Sequence, residues 1–231
     1  MKALNLTVKT KGETQELAFS VKRMVNAGFV GRDQVAVKKH IEELRKEGIP
    51  APSEVPTLYP VAPYLIMTGG IVEVVEESNS GEAEFVLLLQ KGQIYVGAGS
   101  DHTDRKLEKD SIIKAKQMAP NVVSPVVWPY EEVKGVWDSL DLRSWVEKDG
   151  EKVLYQEGKL SEILSPEDLL SFVKGKVGDG DLDNMVIYSG TLAALGGEMI
   201  VGEGFEVELH NPATTDSLWC TYKVRLLDYV K

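Results

Sequence analysis

One cysteine, three histidines and no long apolar run mark what this 231-residue chain lacks. With Cys220 alone, there is no intramolecular disulfide framework and no thiolate zinc cluster. No apolar stretch approaches the roughly 20 residues that span a bilayer. The opening Met1-Lys2-Ala3-Leu4-Asn5-Leu6-Thr7 alternates like a strand and has no signal-peptide apolar core. A soluble, cytoplasmic protein is therefore the expectation. Basic residues are also short: 26 Lys and Arg against 36 Asp and Glu give a formal charge of -10. That balance argues against a nucleic-acid binder, which carries a basic stripe. It leaves room for an anionic substrate, because a bound divalent ion reverses the local field.

What is present is β-rich. Residues 3–9 and 14–21 alternate around a Gly12 turn and predict a hairpin. Asp33 to Gly48 predicts a helix, with Asp33 as N-cap and Gly48 as stop. Five prolines between Ile49 and Pro63 exclude a continuous helix or a central strand there. Further strands are predicted at 71–76, 82–89, 93–98, 140–147, 152–156, 184–189, 205–210 and 218–228. One helix is predicted within 105–118, and another opens at Ser165-Pro166-Glu167. Strands with segregated helices indicate an α+β, mainly β fold. Residues 1–63 are expected to form an N-terminal segment with a lid-like helix, and 64–231 a β-rich catalytic domain.

Two small constellations carry chemistry. Glu82 and Glu84 lie two apart on a predicted strand and share a face with Val86 and Leu88. If Lys91-Gly92 is a two-residue turn, pairing places Asp101 opposite Glu82, with no sequence-adjacent Lys or Arg to neutralise the acids. Such oxygen-only ligation suits Mg²⁺ or Mn²⁺, with Ca²⁺ also admissible. An E-x-E strand at a solvent-facing edge fits the same pattern. His40 and Glu43 lie three apart on the predicted helix, beside the Val37/Ile41/Leu44 stripe. A carboxylate beside an imidazole raises its basicity and orients it, as a general base requires. A solvated His/Glu pair fits equally. The acidic, glycine-rich "GKVGDGDLDN" lacks calcium-loop spacing and reads as a solvent turn. His210 reads as structural and Cys220 as a buried small hydrophobe.

Taken in order, these motifs resemble the catalytic domain of the fumarylacetoacetate hydrolase superfamily. The resemblance rests on Gly31-Arg32-Asp33 followed by His40-Ile41-Glu42-Glu43, then Glu82-Ala83-Glu84, Asp101-His102-Thr103-Asp104-Arg105, Lys116 and Ser189-Gly190-Thr191. It implies a fold of mixed sheets with a few short helices. It also implies Mg²⁺ or Mn²⁺ held by Glu82, Glu84 and Asp101, and a catalytic set of His40, Glu43 and Lys116. Arg32, His102, Arg105 and Thr191 become the implied substrate-binding positions. The implied reaction is hydrolysis of a carbon–carbon bond in a small 2-oxo or β-dicarbonyl acid. Decarboxylation, isomerisation, sugar-acid dehydration and an idle metabolite binder are the alternatives on the same scaffold. A homodimer is expected from the resemblance and from the Trp-bearing strands. Departures from the family pattern are Asp33, His102, Asp104, Glu108 and Leu192, and two of them, Asp104 and Glu108, put extra acids near the expected pocket.

Overall fold

The computed structural model describes residues 2–46 and 51–230. In chain order the strands are β1 (Lys2–Lys9), β2 (Thr14–Val21), β3 (Arg23–Gly28), β4 (Thr57–Val61), β5 (Ile66–Met67), β6 (Gly70–Val74), β7 (Asn79–Ser80), β8 (Ala83–Gln90) and β9 (Gln93–Ser100). They continue as β10 (Thr103–Asp104), β11 (Asn121–Val123), β12 (Val126–Pro129), β13 (Asp141–Lys148), β14 (Glu151–Lys159), β15 (Met185–Tyr188), β16 (Gly204–Asn211) and β17 (Asp216–Leu226). Among the described residues, five short α-helices interrupt them: α1 (Gln34–Lys46), α2 (Arg105–Glu108), α3 (Ile112–Ala115), α4 (Tyr130–Val133) and α5 (Pro166–Lys176). The α+β, mainly β class expected from the sequence is what forms. Among the described residues, no helix is long and apolar enough to cross a membrane.

The large sheet runs β2-β1-β12-β9-β8-β15-β3-β4, with β11 joining β9 to β5. A second sheet runs β14-β13-β16-β17-β6. Strand β8 lies where the two cores meet. Its Phe85 and Leu87 join the larger core, with Val96, Leu142, Val207 and Leu209. Its Val86 and Leu88 join the smaller one, with Leu4, Leu6, Phe19 and Tyr188. A strand apolar on both faces is buried on both, and Phe85 to Leu88 are fully covered. Strands from both sides of residue 63 share the large sheet, since β3 pairs with both β4 and β15.

The large sheet is strongly curled. In the strand order, β15, β8 and β9 separate β3 from β11. At about 4.8 Å per step, a flat sheet would hold β3 and β11 some 19 Å apart. Yet Asn121 Nδ2 on β11 donates to Asn26 Oδ1 on β3 at 2.9 Å. The sheet must curve round to bring them together.

Local chemistry explains the main elements. Lys91 (φ 53°) and Gly92 (φ 75°) form the two-residue turn that fixes the β8–β9 register. Asp33 Oδ1 accepts from the Val35 and Ala36 amides and starts α1 as expected. Its expected stop, Gly48, lies outside the described residues. Ser165 Oγ accepts from the Asp168 amide and starts α5, with Pro166 at the first helical position. The proline-rich segment does contain a strand, β4, but it is the edge of its sheet, where Pro60 loses nothing by donating no hydrogen bond. The single helix expected within 105–118 divides into α2 and α3, separated at Lys109–Ser111. Strands β3, β11 and β12 carry no alternation that the sequence reading picked out.

Candidate metal centre

The β8–β9 register decides the site. Ala83 pairs with Ser100 and Glu84 with Gly99, and the Asp101 amide donates to the Glu82 carbonyl at 3.2 Å. Glu82 and Asp101 therefore face each other across the open end of the hairpin, as expected. One ligand atom from each of Glu82, Glu84 and Asp101 lies within 4.8 Å of the others. Asp101 and Glu84 are buried, and the Glu82 side chain is 18% exposed.

Three carboxylates so close together, two of them buried and the third largely covered, require compensation. Two cations supply part of it, and neither neighbours the acids in sequence. The Lys116 ammonium pairs with Asp101 and stands 3.4 Å from Glu82 Oε2. Arg105 Nη1 donates to Glu82 Oε1 at 3.1 Å and to Glu108 Oε2 at 2.9 Å, while its Nε donates to Ser80 Oγ. With every group ionised, four carboxylates face two cations, leaving two negative charges. That deficit equals the charge of one divalent ion. An oxygen-only donor set with that deficit fits a hard divalent cation.

The protonation of the triad is uneven. Burial alone would raise the Glu82 carboxyl, but Arg105 and Lys116 outweigh it and bring it down to about 2. Burial and the charge of Asp101 push the Glu84 carboxyl well above the usual carboxylate range, against the pull of Lys116 and a hydrogen bond from Gly190. Lys116 stays charged despite burial, because Asp101, Glu82 and Glu84 surround it.

The Gly190 amide donates to Glu84 Oε2 at 2.8 Å. Its φ of +81° favours glycine, and a Cβ there would lie 2.5 Å from Val30 Cγ2 and 2.9 Å from the Ala27 carbonyl. Thr191 Oγ1 donates to the Ala83 carbonyl at 2.7 Å and accepts from Gln156 Nε2 at 2.7 Å. Gln156 Oε1 accepts from the Ala83 amide and from Ser144 Oγ. The Ser189-Gly190-Thr191 turn and Gln156 together pin the start of β8.

His102 is not at the acids. It is buried with both ring nitrogens engaged. Asn79 Nδ2 donates to the Glu76 and Glu77 carbonyls, so its Oδ1 faces His102 as acceptor. The proton therefore sits on Nε2 (2.7 Å to Asn79 Oδ1), and Nδ1 accepts from the Tyr222 hydroxyl at 2.9 Å. Ser100 Oγ then donates to Tyr222 and accepts from the Glu82 amide. Burial, aided by the charge of Arg105, lowers the imidazole to about 3.

The remaining expected positions divide. Arg105 and Lys116 join the acids. Arg32 does not: its guanidinium is bidentate to Asp138 (2.6 and 3.0 Å), and its Nε donates to the Ile163 carbonyl. It lines a separate cleft with Tyr130, Lys134 and Trp137. Asp104 is no pocket acid, since it caps α2 through the Lys106 and Leu107 amides. Glu108 is taken by Arg105. The backbone of His40 and Glu43 lies in α1, but their side chains lie outside the described residues. The sequence reading missed Tyr59, over whose ring the Lys116 ammonium stands at 5.8 Å, and also Gln156, Asn79 and Tyr222. Tyr59, Gln156 and Tyr222 come from strands remote in sequence, and Asn79, three residues before Glu82, meets His102 only through the fold, so no local pattern marks them.

Residues 27–222 match the family described as "Protein of unknown function (DUF2848)". The chain belongs to the DUF2848 family. No curated protein matches it. Among solved structures, this DUF2848 chain is similar to Cg1458, with a TM-score of 0.64, 15% identity, and 94% of this chain and 84% of that chain covered. It is also similar to a 2-keto-3-deoxyarabinonate dehydratase, with a TM-score of 0.66, 14% identity, and 94% and 79% covered. A 2-keto-3-deoxy-D-arabinonate dehydratase complexed with magnesium and 2,5-dioxopentanoate gives a TM-score of 0.63 at 16% identity, with 94% and 78% covered. These are members of the fumarylacetoacetate hydrolase superfamily, and this DUF2848 chain shares their fold.

Proposed function

We propose that this DUF2848 chain is a divalent-metal-dependent enzyme acting on a small 2-oxo or β-dicarbonyl acid. The observation that carries the proposal is the convergence of Glu82, Glu84 and Asp101 within 4.8 Å, a cluster that is two charges short of neutrality once Glu84 gives up its proton. A Mg²⁺ or Mn²⁺ ion held by these three would supply Lewis-acid stabilisation of charge developing on the oxygens of such a substrate.

The chain's own groups divide the other work. Lys116, held protonated by the acids around it, adds positive potential beside the substrate oxygens in a desolvated site. Arg105 fixes Glu82 as a carboxylate, and the Gly190 amide orients Glu84. The family resemblance assigns the proton transfer to His40 and Glu43, whose backbone lies in helix α1. Thr191 and the adjacent backbone position the substrate end nearest β8.

Hydrolysis of a carbon–carbon bond is the first reading, with a water placed beside His40. Dehydration of a 3-deoxy-2-oxo sugar acid is the second, favoured by the similarity to a dehydratase complexed with magnesium and 2,5-dioxopentanoate. Under that reading a leaving hydroxyl occupies the place of the water. Metal-stripped protein resupplied with Mg²⁺ or Mn²⁺, assayed against acylpyruvates, oxaloacetate and 3-deoxy-2-oxo sugar acids, separates them. Hydrolysis of an acylpyruvate releases pyruvate and a carboxylic acid, decarboxylation of oxaloacetate releases pyruvate and CO2, and dehydration of a sugar acid retains every carbon and loses one water. Equal rates with metal and with EDTA on every substrate would sink the enzyme reading.

A homodimer is part of the same proposal. Trp145 and Trp219 stack at 5.8 Å on the second sheet, with Trp219 substantially exposed, which supports an interface on that face. Light scattering of the purified protein tests it.

A further inference from the structure

Among the described residues, four buried side-chain atoms have no hydrogen-bond partner in the protein: Asn26 Nδ2, Asn121 Oδ1, Tyr188 Oη and Trp137 Nε1. The first two belong together, and the third stands on the strand beside Asn26. Asn26 and Asn121 are joined across the curled sheet at 2.9 Å, and Tyr188 is the register partner of Asn26 on the adjacent strand. All three residues are fully buried. Tyr188 packs with Val86 and Leu88, the face of β8 from which Glu84 also projects. Trp137 belongs to the other core.

Buried polar atoms in native proteins are almost always paired, with protein or with ordered water. The joined amides leave one donor, Asn26 Nδ2, and one acceptor, Asn121 Oδ1. Exchanging O and N in both amides again leaves one donor and one acceptor, so the demand is independent of how they are assigned. Burial first, then the neighbouring Cys220, Glu84 and Asp101, raise the Tyr188 phenol well above its ordinary value, so it stays protonated and can both donate and accept. A donor, an acceptor and a hydroxyl match the three hydrogen bonds that a buried water typically makes.

We propose that Asn26, Asn121 and Tyr188 enclose a binding site for one buried water molecule, which completes the amide bridge between β3 and β11 behind Glu84. The site does not depend on the metal or on any reaction, so it can fail while the metal centre stands, and the reverse.

Two measurements on the full chain decide it. A high-resolution crystal structure should show a solvent peak within hydrogen-bond distance of Asn26, Asn121 and Tyr188. Thermal melting of Tyr188→Phe should show a Tm lowered by a few °C, because the water loses a partner. Continuous protein density with no solvent peak between these side chains would overturn the proposal. So would a Tm for Tyr188→Phe above that of the parent, the result expected when an unpaired buried hydroxyl is removed. Should the variant not fold, the density alone decides.

Discussion

The Lys116 ammonium pairs with Asp101 and stands 3.4 Å from Glu82, on the same acids that would hold a metal. It comes from the end of α3, fifteen residues beyond Asp101. Removing it leaves buried carboxylates that the fold cannot neutralise. Breaking one partner out of a buried pair costs about 3–5 kcal/mol. Lys116→Met should therefore melt on the order of 10 °C lower in EDTA, and saturating Mg²⁺ should restore much of the loss. A variant as stable as the parent in EDTA would show that Lys116 is not the counter-charge.

Glu84 and Glu82 impose opposite pH dependences. The Glu84 carboxyl is raised in the fold, so between the ordinary 4.5 and its folded value the native state holds a proton that the unfolded chain has released. That stability is present at low pH and lost as pH rises through the window. Glu82 is lowered to about 2, so its contribution is present above 4.5 and lost as pH falls toward 2. Urea midpoints between about pH 5 and pH 8 should fall with rising pH in EDTA and flatten in Mg²⁺, because the ion displaces the Glu84 proton. The same slope with and without Mg²⁺ would contradict a shared site.

His102 sits beside Asp101 in sequence, yet its chemistry is structural. Its imidazole is lowered to about 3 and is held as the Nε2–H form between Asn79 and Tyr222. Nitrogen NMR of His102 should show one neutral tautomer from about pH 5 to pH 8, the range where an ordinary histidine changes charge. Titration near 6.5 would rule out the buried arrangement. His102→Ala, which strands two polar partners, should cost about 2–4 kcal/mol.

Gly190 combines a left-handed backbone with a carbonyl and a methyl crowding its Cα. Gly190→Ala should cost about 2 kcal/mol or more and displace the amide that donates to Glu84. Weaker metal binding together with the lower stability is the expected signature, read by calorimetry and thermal melting. Unchanged metal affinity would separate the turn from the site.

How much of this was legible in the sequence follows from the range of each interaction. The β8–β9 hairpin was readable because Lys91-Gly92 fixes the register locally, and the register alone sets Asp101 opposite Glu82. The Asp33 and Ser165 caps were readable for the same reason. Lys116 and Arg105 were placed near the acids by resemblance, but their pairing with Asp101, Glu82 and Glu108 depends on how α2 and α3 fold back. Asp104 and Glu108 looked like surplus pocket acids because their partners, two backbone amides and Arg105, appear only in three dimensions. The curl that joins Asn26 to Asn121 leaves no trace in either strand, since each contributes a single asparagine and the partner lies 95 residues away.

Isothermal titration of Mg²⁺ and Mn²⁺ into metal-stripped parent protein and Glu84→Ala tests the metal centre most directly. One divalent site per chain is expected in the parent. In Glu84→Ala the affinity should fall by more than the roughly 10–100-fold typical of groups one step removed from a metal. Undiminished binding by Glu84→Ala would contradict the assignment of the Glu82, Glu84 and Asp101 cluster as a metal centre.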